Sequence, residues 1–433
     1  MDKTFRRGIH PNSNKLTREM PLEEYPTPST VYIPISQHIG APAEILVNIG
    51  DRVLAGSLLA SAKGFVSSNI YSSVSGTVKK FVDRPNALGM TVKHIEIEND
   101  GLYESQSLEP LSLDADKDVI VGRIKEAGIV GMGGATFPTH VKLMPSKPVD
   151  TLIINCAECE PYITCDDRLV LEHAEEVIDG VLCLKKALGV EHAYFGIETN
   201  KPRAIEILER VTAGKGIGVV RLKPKYPQGA EKQLIYAVTK RKVPAGGLPM
   251  DVGVVVSNTH TAYSVGRAVL HGEPLYRRAM TVSGNGVETR ANYWVRNGVP
   301  YSDIYEHCKG NASEDDLFKV ISGGPMMGFA VPSLDICTAK GTSSILFITN
   351  GEMKANNATS CINCARCANT CPMHVMPMFV ERCIDNGDVV GAVKAGALNC
   401  IECGSCAYVC PAKRPLVQSC RLTKKLAREK GVK

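Results

Sequence analysis

Between residues 30 and 98 apolar positions come in short runs broken by glycine: Val31-Tyr32-Ile33, Ala43 to Val47, Gly50 to Val53, Leu58-Leu59-Ala60 and Ser72 to Phe81. Runs this short, punctuated by turn residues, predict the strands of a small β-sandwich. The pattern changes at Asp116. From there to His271 helical and strand periods alternate, which predicts a mostly parallel sheet with helices on both faces. Helices are expected over 116–128, 166–188, 204–211, 231–238 and 262–270, and strands over 151–154, 193–197, 217–222 and 252–256. In the longest helix Leu169, Val177, Val181 and Leu184 share one face. Ligands of such sheets bind beyond the carboxyl ends of the strands. Those ends are Asn155 and Asn258. Strand-like text returns from Arg277 to about Met327, with turns at Gly284, Gly286 and Gly298, and Lys340 to Asn350 adds a last strand. A polar break, Met353 to Ser360, then precedes a cysteine-rich segment with a basic end.

Length changes this picture little: 433 residues at roughly 150 per domain make about three domains. A content of 44% hydrophobic and 22% charged residues is that of an ordinary globular chain and excludes whole-chain disorder. No run approaches the ~18 apolar residues of a membrane span, and the polar, basic start lacks a signal-peptide core, so neither a spanning nor a secreted protein is expected. Charge is more informative. Of the net +5, the segment from Lys413 to Lys433 carries eight Lys or Arg against one Glu. Two readings stay open for it: a solvated helix end, or docking on an acidic partner or anionic membrane face. Nucleic acid is disfavoured, because the segment has no aromatic residue to stack on bases.

Sixteen cysteines are the strongest compositional signal, and eight of them fall into two tight runs. Cys361, Cys364, Cys367 and Cys371 before Pro372 have C-x2-C-x2-C-x3-C-P spacing, and Cys400, Cys403, Cys406 and Cys410 before Pro411 repeat it. This is the spacing of bacterial two-cluster ferredoxins, in which the fourth cysteine of each run ligates the other cluster. Three thiolates on a tight loop face three irons of a cubane, and the fourth is expected to open a helix before proline. Cys361, Cys364, Cys367 and Cys410 should therefore hold one [4Fe–4S] cluster, and Cys400, Cys403, Cys406 and Cys371 the other. A pair of structural zinc sites is the plain alternative; zinc needs four thiolates per ion and no such doubled run. The remaining eight cysteines are expected to be mostly inert packing thiols.

Two further segments bear chemistry. In Gly131-Met-Gly133-Gly134-Ala-Thr-Phe-Pro138 the absence of Cβ atoms lets backbone N–H groups approach phosphate oxygens. It is no dinucleotide fingerprint, since a helix precedes it and Thr136 stands in place of the third glycine; alone, a plain turn is as good a reading. Asn155-Cys-Ala-Glu158-Cys-Glu160-Pro161 directly follows a buried strand. Its amide and carboxylates could hydrogen-bond a flavin and a nicotinamide nucleotide, or could simply cap the helix that starts near Asp166.

The first region's phrasing, Gly50-Asp-Arg-Val53, Gly56-Ser-Leu-Leu59 and Ser75-Gly-Thr-Val78, resembles the barrel-sandwich modules that carry biotin or lipoate. The modified lysine of those modules has no counterpart between Gly64 and Tyr71, so a structural role is favoured. The glycine segment through Lys142, with Asn155 to Pro161, resembles the flavin-binding region of the NADH-oxidising subunit of respiratory complex I. Over essentially its full length the chain is similar to the C-subunit family of the Rnf electron-transport complex; Gly8-Ile-His-Pro11, Gln37 to Pro42, Cys159 to Arg168, Gly323 to Gly328 and Asn399 to Cys403 carry that likeness.

The resemblance implies a multidomain α/β protein: a barrel-sandwich domain (1–110), a parallel-sheet domain for FMN and NADH (111–275), a β-grasp, SLBB-like module (276–352) and a helical two-cluster, ferredoxin-like domain (353–433). It implies that Gly131, Gly133 and Gly134 cradle the FMN phosphate, that Lys142 neutralises it, and that Asn155 reaches the flavin. Glu158 and Glu160 match acidic residues near flavin and nicotinamide, with Glu160 the expected catalytic contact. Tyr226-Pro-Gln-Gly229-Ala230-Glu231 resembles that family's Tyr-x-x-Gly-Glu-Glu, and Asn258 its strand-end Asn; Ala157 and Ala230 replace acids. The expected function is exchange of electrons between NADH, FMN and two [4Fe–4S] clusters, peripheral to the cytoplasmic face of the cell membrane. The partners would be membrane subunits and, indirectly, ferredoxin. A related soluble subunit feeding a cytosolic reductase, or a wiring module with a dead nucleotide site, are the alternatives.

Overall fold

The computed structural model describes residues 2–310, 317–351 and 357–432; the first part of the polar break at 353–360 lies outside them. At the centre stands a four-stranded parallel sheet of β9 (Thr151–Cys156), β10 (His192–Glu198), β11 (Ile217–Leu222) and β12 (Val254–Asn258), in the order β11-β10-β9-β12. The strands alternate sides as a two-residue repeat requires. Leu152, Ile154 and Val255 pack with α1 (Lys117–Glu126), α3 (Cys165–Leu188), α4 (Pro202–Val211) and α6 (Thr259–Leu270). Ile153, Val254 and Val256 face α5 (Glu231–Thr239) on the other side. Leu169, Val177, Val181 and Leu184 are all buried on α3, as their spacing predicts. Helices α3 and α6 touch backbone to backbone: a Cβ at Gly266 would lie 2.9 Å from the Glu176 carbonyl oxygen.

The predicted elements of this unit all form, and all but β11 have shifted ends. Helix α6 starts three residues before the expected Ala262, because Asn258 caps it by accepting from the His260 and Thr261 amides. Strand β12 starts two residues after the expected Val252, because Pro249–Val252 forms a 3-10 turn. The chain runs out from β9 to β11 and returns to β12 on the far side of β9. The carboxyl ends of β9 and β12 therefore flank the topological switch point.

Around this unit lie three others. β2 (Thr30–Pro34), β4 (Arg52–Val53), β7 (Gly76–Pro85) and β8 (Thr91–Asn99) form one sheet of the sandwich, and β3 (Glu44–Ile45), β5 (Leu58–Ser61) and β6 (Ile70–Tyr71) the other. A six-stranded sheet, β1-β14-β13-β17-β15-β16, joins β13 (Arg277–Ser283), β14 (Ala291–Arg296), β15 (Leu317–Ser322), β16 (Phe329–Ala330) and β17 (Ser344–Thr349) to β1 (Leu22–Glu24). It shares one hydrophobic core with the sandwich, in which Val31, Ile33 and Ile97 meet Met280, Val282 and Phe347. The segment before β1 crosses to the central sheet, with Lys3 bridging to Leu222 and Ile9 to Tyr226. Short helices from α8 (Arg366–Thr370) to α12 (Leu416–Glu429) make up the cysteine-rich end. No described helix is long and apolar enough to cross a membrane.

Candidate functional site

The glycine segment forms an exposed loop closed by the Gly131 amide donating to the Phe137 carbonyl at 2.8 Å. It lies on the amino end of α6: the Met132 amide donates to Thr261 Oγ1 at 2.9 Å, and a Cβ at Gly133 would sit 2.9 Å from Asn258 Cβ. At Gly134 an added Cβ meets no protein atom within 4 Å. The loop thus presents open space beside the positive end of a 12-residue helix, an arrangement suited to an anion. Lys142, at the end of α2 (Thr139–Lys142), places Nζ 3.3 Å from Glu231 Oε1 and 3.3 Å from the Val256 carbonyl. This half-exposed ammonium stands at the same sheet end, free to take a second anionic partner.

Asn155 and Asn258 are register neighbours on β9 and β12. Asn155 Nδ2 donates to the Gly229 carbonyl at 2.8 Å, and Asn258 Nδ2 donates to Asp166 Oδ2 at 2.7 Å. Gly229 needs its missing side chain, since a Cβ there would lie 3.1 Å from Asn155 Oδ1 and 3.4 Å from Ala157 Cβ. Gly131, Gly133, Gly134, Lys142, Asn155, Gly229 and Asn258 are thus gathered at the switch point.

The two glutamates are turned inward. Glu158 accepts from the Asp166 amide at 2.7 Å, so it caps α3, and it pairs with buried Lys15 at 3.8 Å. Burial raises its carboxyl to about 7 against the pull of Lys15, and its Oε2 has no hydrogen-bond partner among the described residues. Glu160 Oε1 lies 3.2 Å from Tyr226 Oη, and its other oxygen accepts from the Met326 amide at 3.1 Å; burial raises the carboxyl too to about 7. Both carboxylates are engaged by groups of the protein itself. Lys15 and Lys201 hold the Asn155–Glu160 loop from below, Lys15 donating to the Glu158 and Glu160 carbonyls at 2.9 and 2.8 Å and Lys201 to the Ala157 carbonyl at 2.7 Å. Buried Arg278 donates to the Lys340 carbonyl at 2.9 Å and approaches that of Met132. No local pattern singles out these three cations, which hold carbonyls far away in sequence.

In the cysteine-rich end Cys361, Cys364, Cys367 and Cys410 line a single cleft, together with Met378 and Leu416. Cys371 is electrostatically coupled to Cys400 and Cys403, and Cys406 to all three. Cys410 thus stands with the first run and Cys371 with the second. One expectation needs correction: the fourth cysteine of each run closes a one-turn helix instead of opening one, Cys371 following α8 and Cys410 following α11 (Ser405–Tyr408). The prolines behind them cannot continue a helix, so the turn ends there. Among the described residues no three His, Cys, Asp or Glu side chains converge on a point that would hold a single ion.

Three of the eight cations of the basic end are engaged inside the molecule. Arg414 pairs with Glu381 at 3.0 Å and Asp385 at 3.3 Å, while Arg421 and Lys424 bind Glu402 at 2.8 and 2.6 Å. Lys424 also donates to the Cys400 carbonyl at 2.6 Å. Buried Cys420, on α12, lies beside Cys400 and holds its thiol below the usual thiol range.

Comparison with known proteins agrees with this geometry. The "Nuo51 FMN-binding domain" family matches residues 124–267, the "RnfC Barrel sandwich hybrid domain" family residues 3–102, and the "4Fe-4S dicluster domain" family residues 360–413. The chain is 46% identical to the C-subunit of the proton-translocating ferredoxin:NAD(+) oxidoreductase complex of Clostridium ljungdahlii, over 88% of this chain and 84% of that protein. It is 44% identical to the Na(+)-translocating counterpart of Acetobacterium woodii, over 98% and 96%. The chain belongs to the RnfC family, the C-subunits of Rnf complexes. A further relative, the C-subunit of the ion-translocating oxidoreductase complex of Rhodobacter capsulatus, is 45% identical over 97% of this chain and 82% of that one. Among solved structures, an NAD+-reducing [NiFe]-hydrogenase in the H2-reduced state shares the fold, with a TM-score of 0.50 and 16% identity over 73% of this chain and 62% of that chain. The chain thus combines a barrel-sandwich domain, an FMN-binding domain and a 4Fe–4S dicluster domain.

Proposed function

We propose that the protein is the electron-exchange subunit of an ion-translocating ferredoxin:NAD oxidoreductase (Rnf) complex, linking NADH, FMN and two [4Fe–4S] clusters. One observation carries this reading. The glycine loop, Lys142, Asn155 and Asn258 converge at the switch point of the parallel sheet, and the Cys403 loop packs against the same domain through Tyr226 and Cys159, with Met326 of the third unit beside them. Bound there, FMN would supply hydride exchange with NADH and single-electron steps toward the clusters. The chain's own residues bind and orient. The glycine loop and the α6 amino end would receive the phosphate, Lys142 would neutralise it, and Asn155, held by the Gly229 carbonyl, would face the flavin. Cys371, Cys400, Cys403 and Cys406 form the set nearer the flavin domain. Cys361 and Cys364 are exposed, so the other set faces outward toward a partner.

The finer architecture belongs to the same proposal: units at 1–110, 111–275, 276–352 and 353–433, with the third a β-grasp, SLBB-like module. Its support is the mixed sheet in which β13 pairs parallel with β17 and antiparallel with β14. We place the protein peripherally on the cytoplasmic face of the membrane, beside membrane subunits and indirectly in contact with ferredoxin. Affinity purification of the tagged chain from gently solubilised cells tests this. Membrane subunits should accompany it; a chain recovered alone, or only with a soluble reductase, overturns the membrane assignment.

A further inference from the structure

Tyr226 is one of the largest fully buried side chains, 1% exposed, and its hydroxyl joins three units of the fold. Oη donates to the Cys403 carbonyl at 2.7 Å and lies 3.2 Å from Glu160 Oε1. The other Glu160 oxygen accepts from the Met326 amide at 3.1 Å, in the loop between β15 and β16. A Cβ at Gly324 would collide with that carboxylate, and one at Gly404 would lie 2.9 Å from the Met326 carbonyl. The backbone around Tyr226 is fixed as well. It exchanges amide–carbonyl bonds with Ile9 at 2.8 and 2.9 Å, and the adjoining Gly8 amide donates to Thr370 at 3.0 Å, next to Cys371. Ile9, Tyr226 and Cys403 share one small apolar cluster with Cys159, Met326, Ile401 and Val409. Cys403 and Cys371 belong to the same proposed cluster set, so both are anchored here.

We propose that Tyr226 and Glu160 are a positioning pair that holds the Cys403 loop, and the cluster it carries, against the flavin-domain loop Asn155–Glu160. The inference rests on the cluster assignment under the proposed function. It gives Glu160 a role in wiring instead of nucleotide contact. A tyrosine hydroxyl carries one hydrogen, and the shorter bond to Cys403 uses it. The Glu160 contact is completed when the carboxyl donates to the tyrosine oxygen, in line with the raised pKa of that group. Glutamine can copy this arrangement, its amide donating to Tyr226 and its oxygen accepting from Met326. Alanine cannot.

The test uses the full chain, prepared anaerobically with flavin and clusters, as Tyr226→Phe, Glu160→Ala and Glu160→Gln. Four quantities are measured: FMN content, iron content, the KM for NADH, and the rate and potential of reduction of the second cluster by EPR-monitored titration and rapid-freeze quench. Loss of one buried neutral hydrogen bond, about 0.5–1.5 kcal/mol, corresponds to a roughly two- to tenfold change. Tyr226→Phe and Glu160→Ala should keep FMN, iron and KM while electron arrival at the second cluster slows, or its reduced fraction at fixed potential drops, by roughly that factor. Glu160→Gln should restore wild-type behaviour. Unchanged second-cluster behaviour in both disrupted variants overturns the proposal, as does a Glu160→Ala variant whose main defect is a raised KM. Dithionite reduction of the clusters keeps the potential readout independent of NADH. If NADH fails to reduce the wild type, the proposed function fails, while the dithionite titrations still decide the role of the pair. Should Tyr226→Phe fold poorly, the contrast between alanine and glutamine at Glu160 decides it.

Discussion

Replacing Lys142 with methionine keeps the aliphatic stem and removes only the ammonium. In the folded protein that ammonium has two partners, Glu231 and the Val256 carbonyl, each at 3.3 Å, and the ion pair is 37% and 40% exposed on its two sides. An ion pair this open contributes at most about 1 kcal/mol to stability. For a domain of this size that is a fall in Tm of no more than about 4 °C. If Lys142 neutralises the FMN phosphate, the same substitution removes a charge-assisted hydrogen bond of about 1.5–3 kcal/mol. The dissociation constant of FMN should then rise roughly 10- to 150-fold. Flavin-stripped protein titrated with FMN, followed by quenching of flavin fluorescence, gives the constant directly. Glu231→Gln is the counterpart: it frees the ammonium, so FMN affinity should hold or improve. A Lys142→Met variant that binds FMN within twofold of wild type refutes the assignment, and so does Glu231→Gln weakening the flavin as much as Lys142→Met does.

Gly134→Ala adds a methyl group to space that no protein atom occupies within 4 Å, so FMN content should fall while iron content stays unchanged; Gly133→Ala instead presses on Asn258 Cβ at 2.9 Å and should also cost roughly 1 kcal/mol of stability through the α6 cap, read by thermal denaturation. Cys371→Ala should perturb the EPR signal of the Cys400–Cys406 cluster more than that of the other, and equal loss of both would argue against crossed ligation. Glu160 has its carboxyl raised from 4.5 to about 7, so folding binds a proton between those values. Stability should therefore decline as pH rises from about 5 to 7 and level off above. Glu160→Gln should remove that part of the slope in anaerobic melts, and an unaltered slope would assign the titration to another group.

Sequence makes legible whatever the local period decides. Strand β11 begins and ends at the predicted residues, since Ile217 to Leu222 is a compact apolar run between glycine and lysine. The start of α6 escapes the periodicity because Thr259, His260 and Thr261 carry no apolar signal and only the Asn258 cap marks the boundary. Strand β1 escapes it for a different reason: Leu22–Glu24 is three residues long and gains its identity only from pairing with β14 far down the chain. Cysteine spacing points to two ligand sets because the ligand loops are local. The expected place of Glu160 comes from a motif, whereas its actual partners, Tyr226 and Met326, are brought to it by the fold. The basic end likewise reads as free charge until Glu381, Asp385 and Glu402 are seen to take up three of its cations.

In the proposed function one chain connects NADH to two cubane clusters through FMN. Anaerobic titration of the purified chain with NADH, followed by visible absorption and EPR on the same samples and referenced to a measured content of about eight irons, tests it most directly. The flavin should bleach, and reduced-cluster signals should then appear. A flavin that NADH does not reduce, or a flavin that bleaches while both clusters stay oxidised at potentials where dithionite reduces them, would contradict it.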